Sequence, residues 1–144
     1  MSKILRVLFV CVHNAARSQM AEAFLNRLGE GRFLAESAGF EPDRINPVVI
    51  ESMADIGYDL SGNTVDSVFD FFRQGRNYDV VIKVCDEAHG QKCPIFPSIA
   101  MTLSWSFTDP ASLTGSENEI REQVDQIRDQ IKTRVEEFIR VFET

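Results

Sequence analysis

Short apolar segments with the character of buried strands alternate along the chain with segments of helical periodicity. Residues 4–10 (ILRVLFV) and 78–84 (YDVVIKV) are the clearest, because nearly continuous β-branched and apolar runs are typical of strands covered on both faces. Strands that alternate with helices form parallel sheets through right-handed crossovers, with helices on both faces. The sequence therefore predicts a three-layer α/β fold with a four-stranded parallel sheet. Further strands are expected at 33–38 and 99–103, and helices from Ser18 to the stop signal at Gly29 and at 47–56, 64–72 and 117–142.

Length and composition indicate one globular domain spanning residues 1–144, with 44% hydrophobic and 26% charged residues. No stretch has the eighteen or so consecutive apolar residues of a membrane span, and no signal peptide is evident, so we expect a cytoplasmic protein. A net charge of −7 argues against binding to nucleic acid or to anionic membranes, since both require a basic surface. Three cysteines do not form a disulfide framework and are expected to be reactive, metal-binding or buried.

The eight residues after the first predicted strand, CVHNAARS, join that strand to the start of a predicted helix. Parallel sheets bind ligands at the carboxyl ends of their strands, where this loop must lie. Its backbone N–H groups, the amino end of the helix and the guanidinium of Arg17 would together hold a tetrahedral anion. The same environment favours the thiolate of Cys11, which is the nucleophilic form. The predicted oxyanion site comprises Val12, His13, Asn14, Ala15, Ala16, Arg17 and Ser18, with Ser18 as a hydrogen-bond partner of the sulfur or as a helix cap.

Other motifs accompany this C-x5-R-S pattern, and the whole set resembles one family. They are Ser37-Ala38-Gly39, Asn46-Pro47, Cys85, Cys93-Pro94-Ile95 and Trp105-x-Phe107-x-Asp109-Pro110-Ala111. Together they resemble the low-molecular-weight tyrosine phosphatases, and in particular the arsenate reductase branch of that family. The resemblance extends from residue 4 to residue 111, and the final predicted helix fits in length.

The resemblance implies reduction of arsenate to arsenite through three thiols. Asp109 would be the general acid, because the family places that role at the Asp of the Asp-Pro motif. Cys11 would attack arsenate, Cys85 would then form a disulfide with Cys11, and Cys93 would form a second disulfide with Cys85. Thioredoxin or another thiol donor would reduce that last disulfide, and no organic cofactor would be tightly bound. Phosphate or sulfate would compete with arsenate, and we expect a monomer.

Some reductases of the family also bind a monovalent cation such as potassium. The positions that match that site here are Asn14, Glu22, Ser37 and Asp66. Oxygen ligands from four segments suit a hard cation. Glu22 and Asp66 are also ordinary residues for a solvated helix face and a first helical turn.

Three alternatives remain open from the residues alone. A phosphatase would use Cys11, Arg17 and Asp109 without Cys85 or Cys93, although Ala111 stands where phosphatases carry an aromatic residue. A non-catalytic redox sensor or anion-binding module would use the oxidation of Cys11 instead. Cys85 and Cys93 could also be buried packing or, with His89, zinc ligands.

Several supporting residues carry simpler expectations. The Asn14 amide is expected to hold the shape of the loop, and His13 to lie at its rim. Trp105 and Phe107 are expected to pack in the core or at the rim of the site and not to contact substrate. The charged side of the terminal helix, which carries Arg121, Asp125 and Arg128, is expected to face solvent.

Overall fold

The structure of the protein is a computed structural model that describes residues 4–84 and 101–142. It is built on a four-stranded parallel sheet. The strands are β1 (Leu5–Cys11), β2 (Phe33–Gly39), β3 (Val80–Val84) and β4 (Met101–Trp105). Their order in the sheet is β2-β1-β3-β4, and every pair is parallel. This confirms the predicted sheet and places β1, the most apolar strand, at an interior position.

Four α-helices connect and cover the strands in the described residues. They are α1 (Arg17–Leu28), α2 (Pro47–Ala54), α3 (Val68–Arg73) and α4 (Glu117–Val141), with a 3₁₀ turn at Pro110–Ser112. Local capping explains two of the starts. The Asn46 side chain accepts a hydrogen bond from the N–H of Val48 at 2.9 Å before α2, and Ser116 and Glu119 form a reciprocal capping box before α4.

Apolar side chains fill both faces of the sheet, which confirms the three-layer arrangement. The larger cluster joins one face to α1, α2 and α4 through residues such as Phe9, Phe24 and Val135. The smaller cluster joins Leu8, Val10 and Val81 to Val68 and Phe71 of α3. Alternate residues of β1 therefore point to opposite sides, and from Val7 onward both sets are buried, as its nearly continuous apolar run predicted.

The boundaries of several elements differ from the sequence prediction, and α3 differs most. It begins at Val68, not at residue 64, because the N–H of Gly39 donates to the carbonyl of Asp66 at 2.8 Å and Gly39 forms a β-bridge with Ser67. The Ser67 side chain then caps the helix. β3 begins two residues later than predicted, and β4 continues to Trp105. Residues 85–100, between β3 and β4, lie outside the described residues.

The prediction of a solvent-facing polar side for α4 is wrong for part of that side. Arg128 lies against α2, where its Nη1 atom donates to the carbonyl of Ser52 at 3.0 Å. The hydroxyl of Ser52, a fully buried side chain, donates to Asp125 at 2.5 Å. Arg121 pairs with Asp55, which follows α2. These polar residues therefore form a helix–helix interface.

The helices in the described part of the chain lack the combination of length and apolar character that crossing a bilayer requires. The longest, α4, has 25 residues and carries charges along its whole length.

Replacing Ser52 with Ala should lower the free energy of unfolding by about 1 kcal/mol, because the buried end of Asp125 loses one hydrogen bond and keeps its arginine partners. Urea denaturation monitored by circular dichroism measures the change. Gln126→Ala, at an exposed position of α4, should stay within about 0.5 kcal/mol of the parent. Equal effects of the two substitutions would contradict a structural role for the α2–α4 contact.

Candidate active site

The loop that joins β1 to α1 forms a small cavity at the carboxyl edge of the sheet. Cys11 is the last residue of β1, and Arg17 is the first of α1; both are almost completely buried. The cavity has a volume of about 30 Å³. Its lining contains Cys11, His13, Ala15, Ala16, Arg17, Asn46, Asp109 and Ala111.

The carbonyl groups of this loop are bound by the segment that follows β2, residues 40–46. The N–H groups of Phe40, Glu41, Asp43 and Asn46 donate to the carbonyls of Cys11, Val12, His13 and Ala15 at distances of 3.2, 2.7, 3.0 and 2.9 Å, in that order. In a trans peptide the carbonyl and the following N–H point in opposite directions. Loop carbonyls held from outside therefore leave N–H groups directed inward, as an anion site requires.

Gly39, the last residue of β2, allows the loop to lie this close to the sheet. A Cβ atom at this position would come within 2.7 Å of the backbone nitrogen of Asn14 and 2.8 Å of the carbonyl oxygen of Val12. Backbone atoms cannot yield to such a contact as a flexible side chain can, so only glycine fits here.

Asn14 is the centre of a buried hydrogen-bond network behind the cavity. Its φ of 54° is in the left-handed region, which asparagine tolerates better than most residues. Its Oδ1 accepts from the N–H of Asp66 at 3.0 Å and from Nε2 of Gln19 at 3.1 Å. Its Nδ2 donates to Oγ of Ser18 at 2.8 Å. The structure thus places this amide where it holds the loop, and its side chain does not line the cavity.

The Cys11 sulfur lies within hydrogen-bond distance of two groups. The backbone N–H of Asn14 donates to Sγ at 3.1 Å, and the hydroxyl of Ser18 lies 2.9 Å from the same atom. Ala16 is the N-cap residue of α1 and has no side-chain oxygen to accept from the first-turn N–H groups. The N–H of Asn14 and the amino end of α1 both direct the positive ends of backbone dipoles toward the sulfur.

Arg17 and Asp109 meet at the wall of the cavity. The Arg17 guanidinium lies 3.4 Å from Oδ2 of Asp109 and donates to the carbonyl of Phe107 at 3.2 Å. Asp109 also caps the 3₁₀ turn, because its Oδ1 accepts from the N–H of Ala111 at 2.9 Å. The Asp109 side chain is 22% exposed, so its carboxyl group faces the cavity without being sealed from water.

The aromatic residues before Asp109 are buried, and they fix the path of the chain toward the site. Trp105 lies 5.7 Å from Phe9, 5.8 Å from Phe138 and 6.5 Å from Phe107 between ring centroids. This packing holds the segment that leaves β4 against the core, so that Asp109 arrives beside Arg17.

The residues proposed for a cation site lie together beside the network. Glu22 forms a hydrogen bond with Ser37, and Asp66 and Glu36 are near enough to act on its charge. The pKa of Glu22 is raised to about 7, mainly by burial and also by the neighbouring carboxylates of Asp66 and Glu36, while hydrogen bonds with Ser37 act in the opposite direction. In the described ranges, 4–84 and 101–142, no three His, Cys, Asp or Glu side chains are grouped to hold a metal ion.

Two residues of this region were not singled out from the sequence as site residues. Asn46 lines the cavity, although in the sequence it is distinguished only by the Asn-Pro motif at the start of α2. Gln19 is buried against Asn14, and nothing in its helical position distinguishes it from a solvated glutamine.

His13 lies at the edge of the cavity, where its Nδ1 is 2.9 Å from the carbonyl of Glu41. Cys85, Cys93 and His89 lie outside the described residues.

Comparison with known proteins identifies similar sequences over nearly the whole chain. Residues 6–143 match the family described as low molecular weight phosphotyrosine protein phosphatase. An arsenate reductase of Staphylococcus aureus is 37% identical over 134 residues, which is 92% of this chain and 94% of that protein. A protein of Synechocystis named glutaredoxin arsenate reductase is 35% identical over 134 residues, or 93% of this chain and 95% of that one.

Solved structures show the same similarity. An arsenate reductase in the phosphate binding state aligns with a TM-score of 0.75 and 34% identity, over 94% of this chain and 97% of that one. A thioredoxin-dependent arsenate reductase of Corynebacterium glutamicum aligns with a TM-score of 0.61 and 29% identity, over 94% of this chain and 63% of that longer one.

Glu22→Gln should flatten the dependence of stability on pH. A carboxyl whose pKa is about 7 in the folded protein and 4.5 as the unperturbed value binds more protons when folded, so stability falls as pH rises from about 4.5 to about 7. The glutamine cannot ionise and should remove that part of the slope. Urea denaturation between pH 4.5 and 8, with choline as the only monovalent cation, measures it, and Glu30→Gln at an exposed position of the chain serves as the control.

If the parent and Glu22→Gln show the same slope across this pH range, Glu22 is not the buried acid that the structure indicates.

Arg17→Lys should weaken binding of inorganic phosphate about tenfold or more, because an ammonium group cannot replace the planar, two-pronged donor. Isothermal titration calorimetry at fixed ionic strength gives the dissociation constant. Arg140→Lys, exposed at the end of α4, makes the same chemical change away from the cavity and should leave binding unaltered. An unchanged affinity in Arg17→Lys would exclude this guanidinium as an anion ligand.

Proposed function

Because this chain belongs to the low molecular weight phosphotyrosine protein phosphatase family and matches arsenate reductases over nearly its full length, we propose that it reduces arsenate to arsenite. The observation that carries the proposal is the buried Cys11 sulfur, which two polar groups approach within 3.1 Å at the floor of a cavity walled by Arg17 and Asp109. The family fold alone does not decide the chemistry, so the argument rests on this arrangement.

In the first step the Cys11 thiolate attacks the arsenic atom of arsenate. The inward N–H groups of the loop and the Arg17 guanidinium balance the charge of the arsenate oxygens. One arsenic–oxygen bond breaks, and the departing oxygen leaves as water when Asp109 supplies a proton. The contact between Asp109 and Arg17 supports this role, because it brings the carboxyl next to the guanidinium that would bind the anion. A relative whose structure is a phosphate binding state supports the use of such a cavity for tetrahedral oxyanions.

In the second step Cys85 attacks the Cys11 sulfur. The sulfur–arsenic bond breaks and its electron pair remains on arsenic, which leaves as arsenite while a Cys11–Cys85 disulfide forms. Cys93 then attacks Cys85, which releases the Cys11 thiolate and leaves a Cys85–Cys93 disulfide. Cys85 follows Val84, the last residue of β3, and β3 pairs with the strand that ends in Cys11. This order along the chain supports the relay.

An external thiol donor must supply the two electrons. The names of two similar proteins give different donors, since one is a glutaredoxin arsenate reductase and the other is thioredoxin-dependent. We assign thioredoxin or a similar dithiol to this chain, because a dithiol reduces a protein disulfide without leaving a mixed product. The cytoplasm is the compartment that maintains such donors in the reduced form.

The wall of the cavity favours a reductase over a phosphatase. The volume of about 30 Å³ suits a tetrahedral oxyanion group, which both reactions would bind. Ala111 lines the wall and has no ring to stack on an aryl phosphate. A phosphatase would also have no use for Cys85 and Cys93.

A monovalent cation such as potassium fits part of the predicted site. Glu22 and Asp66 bring two carboxylates together beside Ser37, and the raised pKa of Glu22 is the response expected of a buried acid without a neighbouring positive charge. Asn14 fits less well, because its amide oxygen already accepts hydrogen bonds from Gln19 and Asp66. We therefore assign the cation to Glu22, Ser37 and Asp66. Potassium in place of choline should then reduce the pH dependence of stability described above for Glu22.

The relay is tested by mixing fully reduced protein with arsenate, quenching with acid and mapping disulfides by mass spectrometry. The Cys11–Cys85 disulfide should appear before the Cys85–Cys93 disulfide. Cys93→Ser should stop at the first of these, whereas Cys85→Ser should lose multiple turnover with a thioredoxin system by at least about a hundredfold. Cys11→Ser should lose all activity, because an unassisted hydroxyl is a poor nucleophile.

Sustained turnover of Cys85→Ser would show that the relay is wrong. Hydrolysis of a small phosphoester that is faster than arsenate reduction, and equally fast in Cys85→Ser, would show that the chain is a phosphatase.

A further inference from the structure

Gln19 is a buried polar residue of α1 that the proposed mechanism does not use. Its side chain is 1% exposed, and its polar atoms are bound on three sides. Nε2 donates to Oδ1 of Asn14 at 3.1 Å and to the carbonyl of Thr64 at 3.0 Å. Oε1 accepts from Nδ2 of Asn63 at 3.1 Å. Gln19 therefore links residues 63 and 64 to the residue behind the nucleophile.

Backbone groups determine which way each amide in this network must point. The carbonyl of Thr64 can only accept a hydrogen bond, so the nitrogen of the Gln19 amide must face it. The N–H of Asp66 can only donate, so the oxygen of the Asn14 amide must face that group. Gln19 and the N–H of Asp66 then both donate to Asn14 Oδ1, and the nitrogen of the Asn14 amide is left to face Ser18.

The direction of these hydrogen bonds continues to the sulfur. Asn14 Nδ2 donates to Ser18 Oγ at 2.8 Å, so the hydroxyl oxygen is the acceptor in that bond. Ser18 still has one proton to donate, and the Cys11 sulfur lies 2.9 Å from its oxygen. When that proton points to the sulfur, Sγ receives hydrogen bonds from Ser18 and from the N–H of Asn14 and gives none. A sulfur that only accepts is stabilised as the thiolate.

We propose that Gln19 is a positioning residue: together with the N–H of Asp66 it holds the Asn14 amide in the orientation that leaves the Ser18 proton for Cys11. This inference rests on the proposed role of Cys11 as the nucleophile. Gln19 does not touch the sulfur or line the cavity, so it acts only through Asn14 and Ser18. Residues 63 and 64 are thereby coupled to the reactivity of a cysteine at the opposite end of the network.

The test is the pH profile of alkylation of Cys11 by iodoacetamide, followed by mass spectrometry of the peptide that contains it, so that the other two cysteines do not interfere. Gln19→Met removes the donors and the acceptor at similar volume and should move the midpoint of the profile upward by about half a pH unit to one unit. Asn63→Ala removes only the outer hydrogen bond and should move it in the same direction by less. This milder variant decides the matter if Gln19→Met does not fold.

A double-mutant cycle separates positioning from a general loss of structure. In the Ser18→Ala background the sulfur has no hydrogen bond from a serine that Gln19 could influence. Gln19→Met should therefore shift the midpoint by less than about 0.2 pH unit in that background. Ser52→Ala, which destabilises the protein at the α2–α4 contact, should leave the profile of the parent unchanged.

The outcomes are distinct. The inference is overturned if the alkylation profiles of Gln19→Met and Asn63→Ala both overlay that of the parent. It is also overturned if Gln19→Met shifts the midpoint by the same amount with and without Ser18. If the parent itself alkylates like an ordinary thiol, with a midpoint near about 8.5, the proposed role of Cys11 fails first and the inference fails with it.

Discussion

The close contact between the β1–α1 loop and the chain that leaves β2 is the constraint on which the rest of the site depends. Four loop carbonyls are bound by N–H groups of residues 40–46, and Gly39 brings the two backbones together. Because the carbonyls are already engaged on the outside, the loop can present its N–H groups to an anion without also presenting oxygen atoms that would repel it. An anion site of this kind is compatible with a net charge of −7, since the field inside the loop is set by a few oriented dipoles and one buried guanidinium.

The fold was largely predictable because the apolar residues of a strand indicate which of its faces are buried. β1 and β3 are buried on both faces, and their runs contain almost no polar residues. The start of α3 was less predictable, because the helical spacing of Val65, Val68 and Phe72 says nothing of the hydrogen bond that draws Asp66 to Gly39. Tertiary pairing prevailed over local periodicity there. The contact between the polar side of α4 and α2 was not predicted for a similar reason, since Arg128 and Asp125 form hydrogen bonds with Ser52 on another helix.

The sequence indicated the chemistry that is proposed for the site but not the structure that supports it. Cysteine and arginine at the two ends of a strand–loop–helix junction indicate an anion site because few other arrangements require both. The resemblance to a family, and not the residues themselves, gave Asp109 its role, and the structure places its carboxyl beside Arg17. Gln19 carries no such signal, because its importance lies in which of its atoms meets a backbone carbonyl and which meets another amide. Directions of hydrogen bonds are properties of the folded chain.

The order of the strands has a consequence for how local unfolding would affect the site. The β1–α1 loop and the segment 40–46 that binds its carbonyls are joined through β1 and β2, whereas Asp109 follows β4, which lies at an edge of the sheet. Opening of the contact between β3 and β4 would therefore separate the carboxyl of Asp109 from Arg17 and leave the loop in contact with segment 40–46. The cradle for an anion is in this way less sensitive to such opening than the contact between Arg17 and Asp109.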